Sequence, residues 1–347
     1  MLPLEFILIL TLTRSSPLPA NNTLPHNSQN MSSSQDRIGW IGLGLLGFEM
    51  AQHLQKYLVS QSLPSLTVWN RSVDKAENFR ALAPKVNIST SVEDLFSEQY
   101  NRNIIFTSLQ NDAAVEQVYE TLLRHAAEAR EQIVFVETGT LYPGLSLRLQ
   151  KELASLPQRH IYLQCPVFGR PEAARLAQLV WVASGDASGI ERLRPYFESM
   201  SRTVLDLKTT DVSAGATLKL LGNYMIMANN SIMSESINLA RQTNLDPQHF
   251  LSFIREFLPA PALVTYSEKL AGGEEDEVAV DMTVNIALKD VGTVRRWAEV
   301  KGAPTPVADA VYRNYALAKE RGYNKNWNFL VDSLNSQTSS SSSSPSS

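Results

Sequence analysis

The stretch RIGWIGLGLLGFEMAQHLQKY, residues 37–57, decides how this chain folds. Arg37–Ile41 is a short apolar run of strand character. Gly42-Leu43-Gly44-Leu45-Leu46-Gly47 follows at once and fits G-x-G-x-x-G. Behind it, apolar residues recur with helical period through about Tyr57. In such a strand–turn–helix unit the first glycine permits a tight turn. The second lets backbone approach a pyrophosphate, and the third lets helix pack on strand. The free N–H groups and partial positive charge of the helix N-terminus favour phosphate. The whole turn, Leu43, Leu45 and Leu46 included, is therefore read as cofactor-binding. Glycine-rich turns also serve purely structural ends, but a strand before and a helix after, at the start of a domain, are what a dinucleotide site requires.

The alternation continues beyond the turn. Leu66–Trp69 reads as a second strand and Val73–Leu82 as a helix. Asn103–Leu109, Gln132–Glu137, Ile161–Pro166 and Leu179–Ala183 read as further strands, and Asp112 is expected to cap a helix reaching about His125. Strands separated by helices of this length imply a largely parallel sheet, a Rossmann domain over 37–208. Cofactor choice is set where the second strand ends. An NAD enzyme usually places Asp or Glu there to hold the ribose 2′-OH. This chain has Asn70-Arg71-Ser72, with no acid before Asp74. A guanidinium suits a 2′-phosphate and Ser72 adds a hydrogen-bond donor, so NADP is preferred over NAD. The competing reading of Arg71 is a solvated surface side chain.

Near Asp206 the rhythm changes. Val212–Ala240 is almost uninterrupted helix-compatible sequence, apolar on more than one face through Leu218, Leu220, Leu221, Met225, Ile226, Met233 and Ile237. A helix buried all round belongs at the centre of a domain or in a subunit interface. Asp246-Pro247 and Thr305-Pro306 are N-cap signals, and Gly322 is placed to stop the helix that Pro306 begins. Gly272–Glu277 reads as a charged loop. The fold class is thus an α/β Rossmann domain followed by an all-α C-terminal domain over 209–332. On the long helix, Lys219 and Asn223 stand four residues apart and share a face. Among apolar neighbours a lysine is costly unless it is partnered or used. Proton transfer to a carbonyl oxygen is one use, and snorkelling to the surface is the alternative.

Composition limits the remaining possibilities. The 347 residues carry 31 Lys and Arg against 35 Asp and Glu, a formal charge of −4, which argues against a general nucleic-acid or membrane-surface binder. Cys165 is the only cysteine, so no intramolecular disulfide and no multi-cysteine zinc site can form. The five histidines show no metal-ligand spacing, and no metal is expected. Residues 1–36 include the apolar run Leu4–Leu12, but no Lys or Arg precedes it and Glu5 carries the wrong charge for a signal peptide. They are read as a disordered extension or an upstream start before Met31. This makes the chain cytoplasmic, with secretion the alternative. Residues 333–347, mostly serine, are expected to form a solvated tail.

Taken together, these residues resemble the β-hydroxyacid dehydrogenase family, which includes 3-hydroxyisobutyrate, tartronate-semialdehyde and 6-phosphogluconate enzymes and glyoxylate reductases. The resemblance runs from about Arg37 to Leu330. Its N-terminal signature resembles Ile41–Leu54, and its D-x-S-T-x-x-P stretch is similar to Glu137–Pro143. Its substrate loop resembles Pro166–Arg170, its G-x-x-x-K-x-x-x-N matches Gly215, Lys219 and Asn223, and its K-D-L segment resembles Lys289-Asp290-Val291. The resemblance implies that Lys219 is the acid/base and that Asn223 assists it. It also implies that Leu109 and Thr140 lie along the cofactor, that Lys289 reaches cofactor or substrate, and that the chain forms a homodimer through the long helix. The expected substrate is a small carbonyl or hydroxy-acid compound. Departures fall in the substrate loop, where the family's P-V-S-G-G becomes Pro166-Val167-Phe168-Gly169-Arg170. Phe168 cannot donate the hydrogen bond of that serine, whereas Arg170 adds charge. Gly139 also replaces the usual serine beside Thr140. An imine reductase-like enzyme is one alternative; the lysine speaks for oxygen chemistry. A non-catalytic dinucleotide-binding sensor or scaffold is the other.

Overall fold

The computed structural model describes residues 36–83, 85–272, 280–322 and 329–335. The expected N-terminal extension up to residue 35, most of the charged segment Gly272–Glu277 and the serine-rich end beyond residue 335 lie outside them. The α/β part runs β1 (Ile38–Ile41), α1 (Leu45–Ser60), β2 (Thr67–Trp69), α2 (Val73–Leu82), β3 (Asn87–Ile88) and β4 (Ile104–Thr107). It continues with α3 (Asp112–Glu128), β5 (Val134–Glu137), α4 (Pro143–Ser155), β6 (Ile161–Gln164) and β7 (Val167–Phe168). It closes with α5 (Pro171–Arg175), β8 (Leu179–Gly185), α6 (Ala187–Ser199) and β9 (Ser201–Asp206). Strand order is β3-β2-β1-β4-β5-β6-β8-β7, with β9 beside β8. The first six strands are mutually parallel; β8 runs antiparallel to β6 and β7 and parallel to β9. This is the doubly wound order, with its switch point between β1 and β4. Apolar side chains leave both faces of the sheet. Ile38, Trp40, Phe106 and Val136 pack beneath α1 and α6, while Ile41, Ile105 and Phe135 pack beneath α3 and α4.

The expected cap of α3 shifts by one residue. Asn111, not Asp112, accepts the Ala114 N–H at 2.9 Å. Asp112 is already helical, and its carboxylate accepts the Tyr142 N–H at 3.2 Å, tying α3 to the start of α4. Helices follow from α7 (Val212–Gln242), through α8 (Pro247–Phe257), α9 (Pro261–Gly272), α10 (Val280–Lys301) and α11 (Pro306–Glu320) to α12 (Phe329–Asn335). Asp246 caps α8 as its sequence implies, accepting the Gln248 N–H. Thr305 makes no capping bond, so α11 opens on Pro306 alone. Gly322 ends α11 with φ +71°. Helix extends past residue 332, where the sequence reading ended the helical domain: α12 reaches Asn335 and Ser333 is buried. Within this chain α7 is not buried all round. Leu220 and Met227 pack on Val284, Val291, Val311 and Tyr315, and Met233 and Ile237 pack on Leu270 and Val331. Leu221, Met225, Ile232 and Leu239 are exposed, because the other helices cover only one side of α7. Among the described residues no helix is long and apolar enough to cross a membrane.

Candidate active site

At the switch point the chain leaves β1 at Gly42, whose φ of +100° an L side chain resists. A Cβ there would also collide with the Ser108 carbonyl at the end of β4. The Asn70 amide pins the turn: its Oδ1 accepts the Leu43 N–H at 2.9 Å and its Nδ2 donates to the Ser72 carbonyl at 3.0 Å. The Leu43 side chain is buried beneath the turn. Gly44 faces open space and is the N-cap of α1, and no side chain caps that helix. An uncapped N-terminus beside an open cradle fits a phosphate group. Gly44, Leu45, Leu46 and Gly47 form one end of a cleft of about 440 Å³. Leu109 and Thr140 line its wall, as does Lys75 in the first turn of α2. Arg71 and Ser72 are exposed and stand outside that wall.

Toward the other end, α7 brings in Lys219 and Asn223. Gly215, one turn before Lys219, lets α7 dock on the sheet: its N–H donates to Ser184 Oγ at 3.1 Å, where a Cβ would leave too little room. Lys219 Nζ donates to Asn223 Oδ1 at 2.9 Å, and Asn223 Nδ2 donates to Asp290 Oδ2 at 2.6 Å. Lys289 Nζ lies 3.0 Å from Asp290 Oδ1 and donates to the Thr140 carbonyl at 3.1 Å. The ammonium of Lys219 touches the cleft yet sits deep in the protein. Desolvation lowers its pKa to about 8, with Asp290 pulling it up and Lys289 pushing it down. A lysine poised there can give a proton or take one near neutral pH. Among the described residues no cluster of three His, Cys, Asp or Glu side chains is placed to hold a metal ion.

Two of the departures from the family pattern, Phe168 and Gly139, have a steric partner. The Phe168 ring does not line the cleft; it lies 4.4 Å from Lys219 Nζ and fills the space over Gly222, where a Cβ would overlap it. Gly169 and Arg170 do line the cleft, and the Arg170 guanidinium stands 5.6 Å from the Tyr266 ring centre. On β5, the Glu137 carboxylate accepts from Thr107 Oγ1 and from the Gly139 N–H, both at 2.6 Å. A Cβ at Gly139 would come within 2.7 Å of Glu137 Oε1. The acid is one methylene longer than the family's aspartate, and glycine makes room for it. Burial raises its pKa to about 7 against the hydrogen bonds from Thr107 and Gly139.

Sequence reading passed over Lys75, Asp290 and Asn230. Asp290 was legible only as one letter of a motif; its role depends on α10 lying against α7. Asn230 continues the face of Lys219 and Asn223, and its spacing was a signal that could have been used.

Residues 37–210 match the model of the NAD binding domain of 6-phosphogluconate dehydrogenase. Residues 213–329 match that of the NAD-binding domain of NADP-dependent 3-hydroxyisobutyrate dehydrogenase. The NADH-dependent oxidoreductase ucdB of Aspergillus ustus is 26% identical over 79% of this chain and 90% of its own. The mitochondrial 3-hydroxyisobutyrate dehydrogenase of Drosophila melanogaster is 23% identical over 85% and 88%. Among solved structures, 3-hydroxyisobutyrate dehydrogenase from Mycobacterium tuberculosis with L-serine superposes with a TM-score of 0.71, at 20% identity over 86% of this chain and 99% of that one. An imine reductase from Streptomyces aurantiacus gives 0.52, at 17% identity over 86% and 99%. With both halves matched in order and the same two-domain fold, the chain belongs to the β-hydroxyacid dehydrogenase family of NAD(P)-binding oxidoreductases.

Proposed function

We propose that the protein is an NADP(H)-dependent reductase or dehydrogenase of a carbonyl/alcohol pair, with Lys219 as the general acid/base. The carrying observation is the chain Lys219–Asn223–Asp290 at the cleft, with the lysine held near pKa 8. When bound along the glycine turn, the nicotinamide cofactor supplies or accepts the hydride. In the reducing direction the Lys219 ammonium donates a proton to the carbonyl oxygen; in the oxidising direction the free amine takes it back. Asn223 accepts from the ammonium and so aims it, and Asp290 fixes Asn223. Lys289 ties Asp290 to the Thr140 carbonyl, joining the two domains at the site. NADP is favoured by Arg71 and Lys75 near the end of β2, with no acid among residues 70–72. The Aspergillus relative is named for NADH, so cofactor choice is tested separately. NADPH should bind at least about tenfold tighter than NADH, and the preference should vanish in Arg71→Ala/Lys75→Ala. Equal binding by the wild type would overturn the NADP assignment.

For the chemistry, NADPH oxidation is followed with a panel of aldehydes, keto acids and cyclic imines, with Lys219→Ala as control. Turnover of carbonyls that drops about 10²-fold or more in the variant supports the reading. Turnover of imines alone would favour imine reduction, and tight cofactor binding without turnover would favour a sensor. The protein is proposed to work as a homodimer through the exposed face of α7.

A further inference from the structure

Phe168 is held in place by its backbone. On β7 it pairs with Val180 of β8, and Val167 beside it pairs with Trp181. From there the ring reaches α7 and lies against Gly222, where a Cβ would overlap ring carbons Cε1 and Cζ. Gly222 stands three residues from Lys219 and Asn223 four, so the three share one face of the helix. Resting on the bare backbone at Gly222, the ring has its centre 4.4 Å from Lys219 Nζ. That is within the range of a cation–π contact, which is stronger where water is excluded.

Lys219 has few other partners. Its ammonium carries three N–H donors, and Asn223 Oδ1 is the one acceptor it meets among the described residues. The charges nearest to it, Asp290 and Lys289, both come from α10 and act in opposite directions. Arg170 at the start of α5 and Tyr266 on α9 are the other ionisable groups around that end of the cleft. β7 brings no charge, only the ring. Carbon that merely filled space would add to the desolvation of the ammonium, whereas a π face turned toward it offsets that cost.

We infer that Phe168 is a positioning residue for the acid/base: its π face holds the Lys219 ammonium beside Asn223 and leaves a donor for a carbonyl oxygen in the cleft. This rests on the reading of Lys219 as the acid/base. Phe168 does not itself meet the substrate; it acts through the lysine.

The test follows the titration of Lys219 directly, by NMR of the full-length protein labelled with ¹³C at lysine Cε. The Lys219 signal is the one absent from Lys219→Ala. In Phe168→Leu, which stays apolar but has no π face, the midpoint should fall by at least about half a pH unit. Phe168→Tyr, which keeps the face, should hold the wild-type midpoint, and Gly222→Ala, which drives the ring off the lysine, should lower it. If the leucine variant fails to fold, Phe168→Met, flexible enough to fill the gap, is read in the same way. An unchanged or higher midpoint in Phe168→Leu overturns the proposal, since water entering in place of a mere filler raises a lysine pKa. The pH profile of carbonyl reduction separates the ring from the chemistry: in Phe168→Leu its fall should move down with the midpoint. A lysine that shifts as expected in a protein that reduces no carbonyl upholds the ring contact and removes the acid/base reading. An unmoved lysine in an active protein removes Phe168 alone.

Discussion

A single carboxylate shows how one residue alters its surroundings. Glu137 is buried, and its folded pKa of about 7 lies above the ordinary 4.5. Between those values the folded protein binds more protons than the unfolded chain, so this group makes stability fall as pH rises from about 4.5 to 7. Glu137→Gln keeps the acceptor for Gly139 and can donate to Thr107 Oγ1, whose proton then turns to the Val136 carbonyl 3.3 Å away. The variant should gain on the wild type by about 1–3 kcal/mol between pH 5 and pH 8, read from urea midpoints. A constant gap between the two proteins across that range would contradict the charged burial. Cys165, by contrast, is pushed up to about 12 by burial and has no thiolate to offer near neutral pH.

At the scale of elements, the substrate loop and α7 are fitted to each other through Phe168 and Gly222. Gly222→Ala should force the ring off the helix and away from Lys219, destabilising the protein by about 1–3 kcal/mol. Phe168→Ser in the same chain should recover most of that loss, so a double-mutant cycle by thermal melting should give strong coupling. Additive losses would mean that the ring and the glycine do not meet. The elements themselves were readable to different degrees. The glycine turn, the parallel strands and the long helix announce themselves through periodicity, because burial on one or both faces dictates their pattern. The two-residue strands β3 and β7 carry too few side chains to show a period, and β9, SRTVLD, has no buried side chain to mark one, so all three were missed. Asn111 took the cap from Asp112 because the preceding loop places its amide over the Ala114 N–H, a choice between adjacent capping residues that local sequence does not settle.

Across the whole molecule, the site is made by contacts between distant parts of the chain. Lys219 and Asn223 could be paired by helical spacing, but Asp290 is 67 residues from Asn223 and Lys289 is 149 from Thr140. Their meeting follows from how α10 packs on α7, which no local pattern encodes. The same packing leaves Leu221, Met225, Ile232 and Leu239 exposed along one face of α7. If that face carries the homodimer, Met225→Glu should convert a dimer to a monomer in sedimentation velocity; a wild-type monomer would contradict it.

The most direct test of the account is the pH dependence of kcat/KM for NADPH-dependent carbonyl reduction, measured on the best substrate of the panel. Lys219 must be protonated to act as the acid, so the rate should be flat below about pH 8 and fall tenfold per pH unit above it. Oxidation of the corresponding alcohol should show the opposite limb, rising toward pH 8 and levelling above it. In Lys219→Ala the residual rate should lose that inflection. A reduction profile that stays flat through pH 10, or an inflection near 8 that survives in Lys219→Ala, would contradict the assignment of Lys219 as the proton donor.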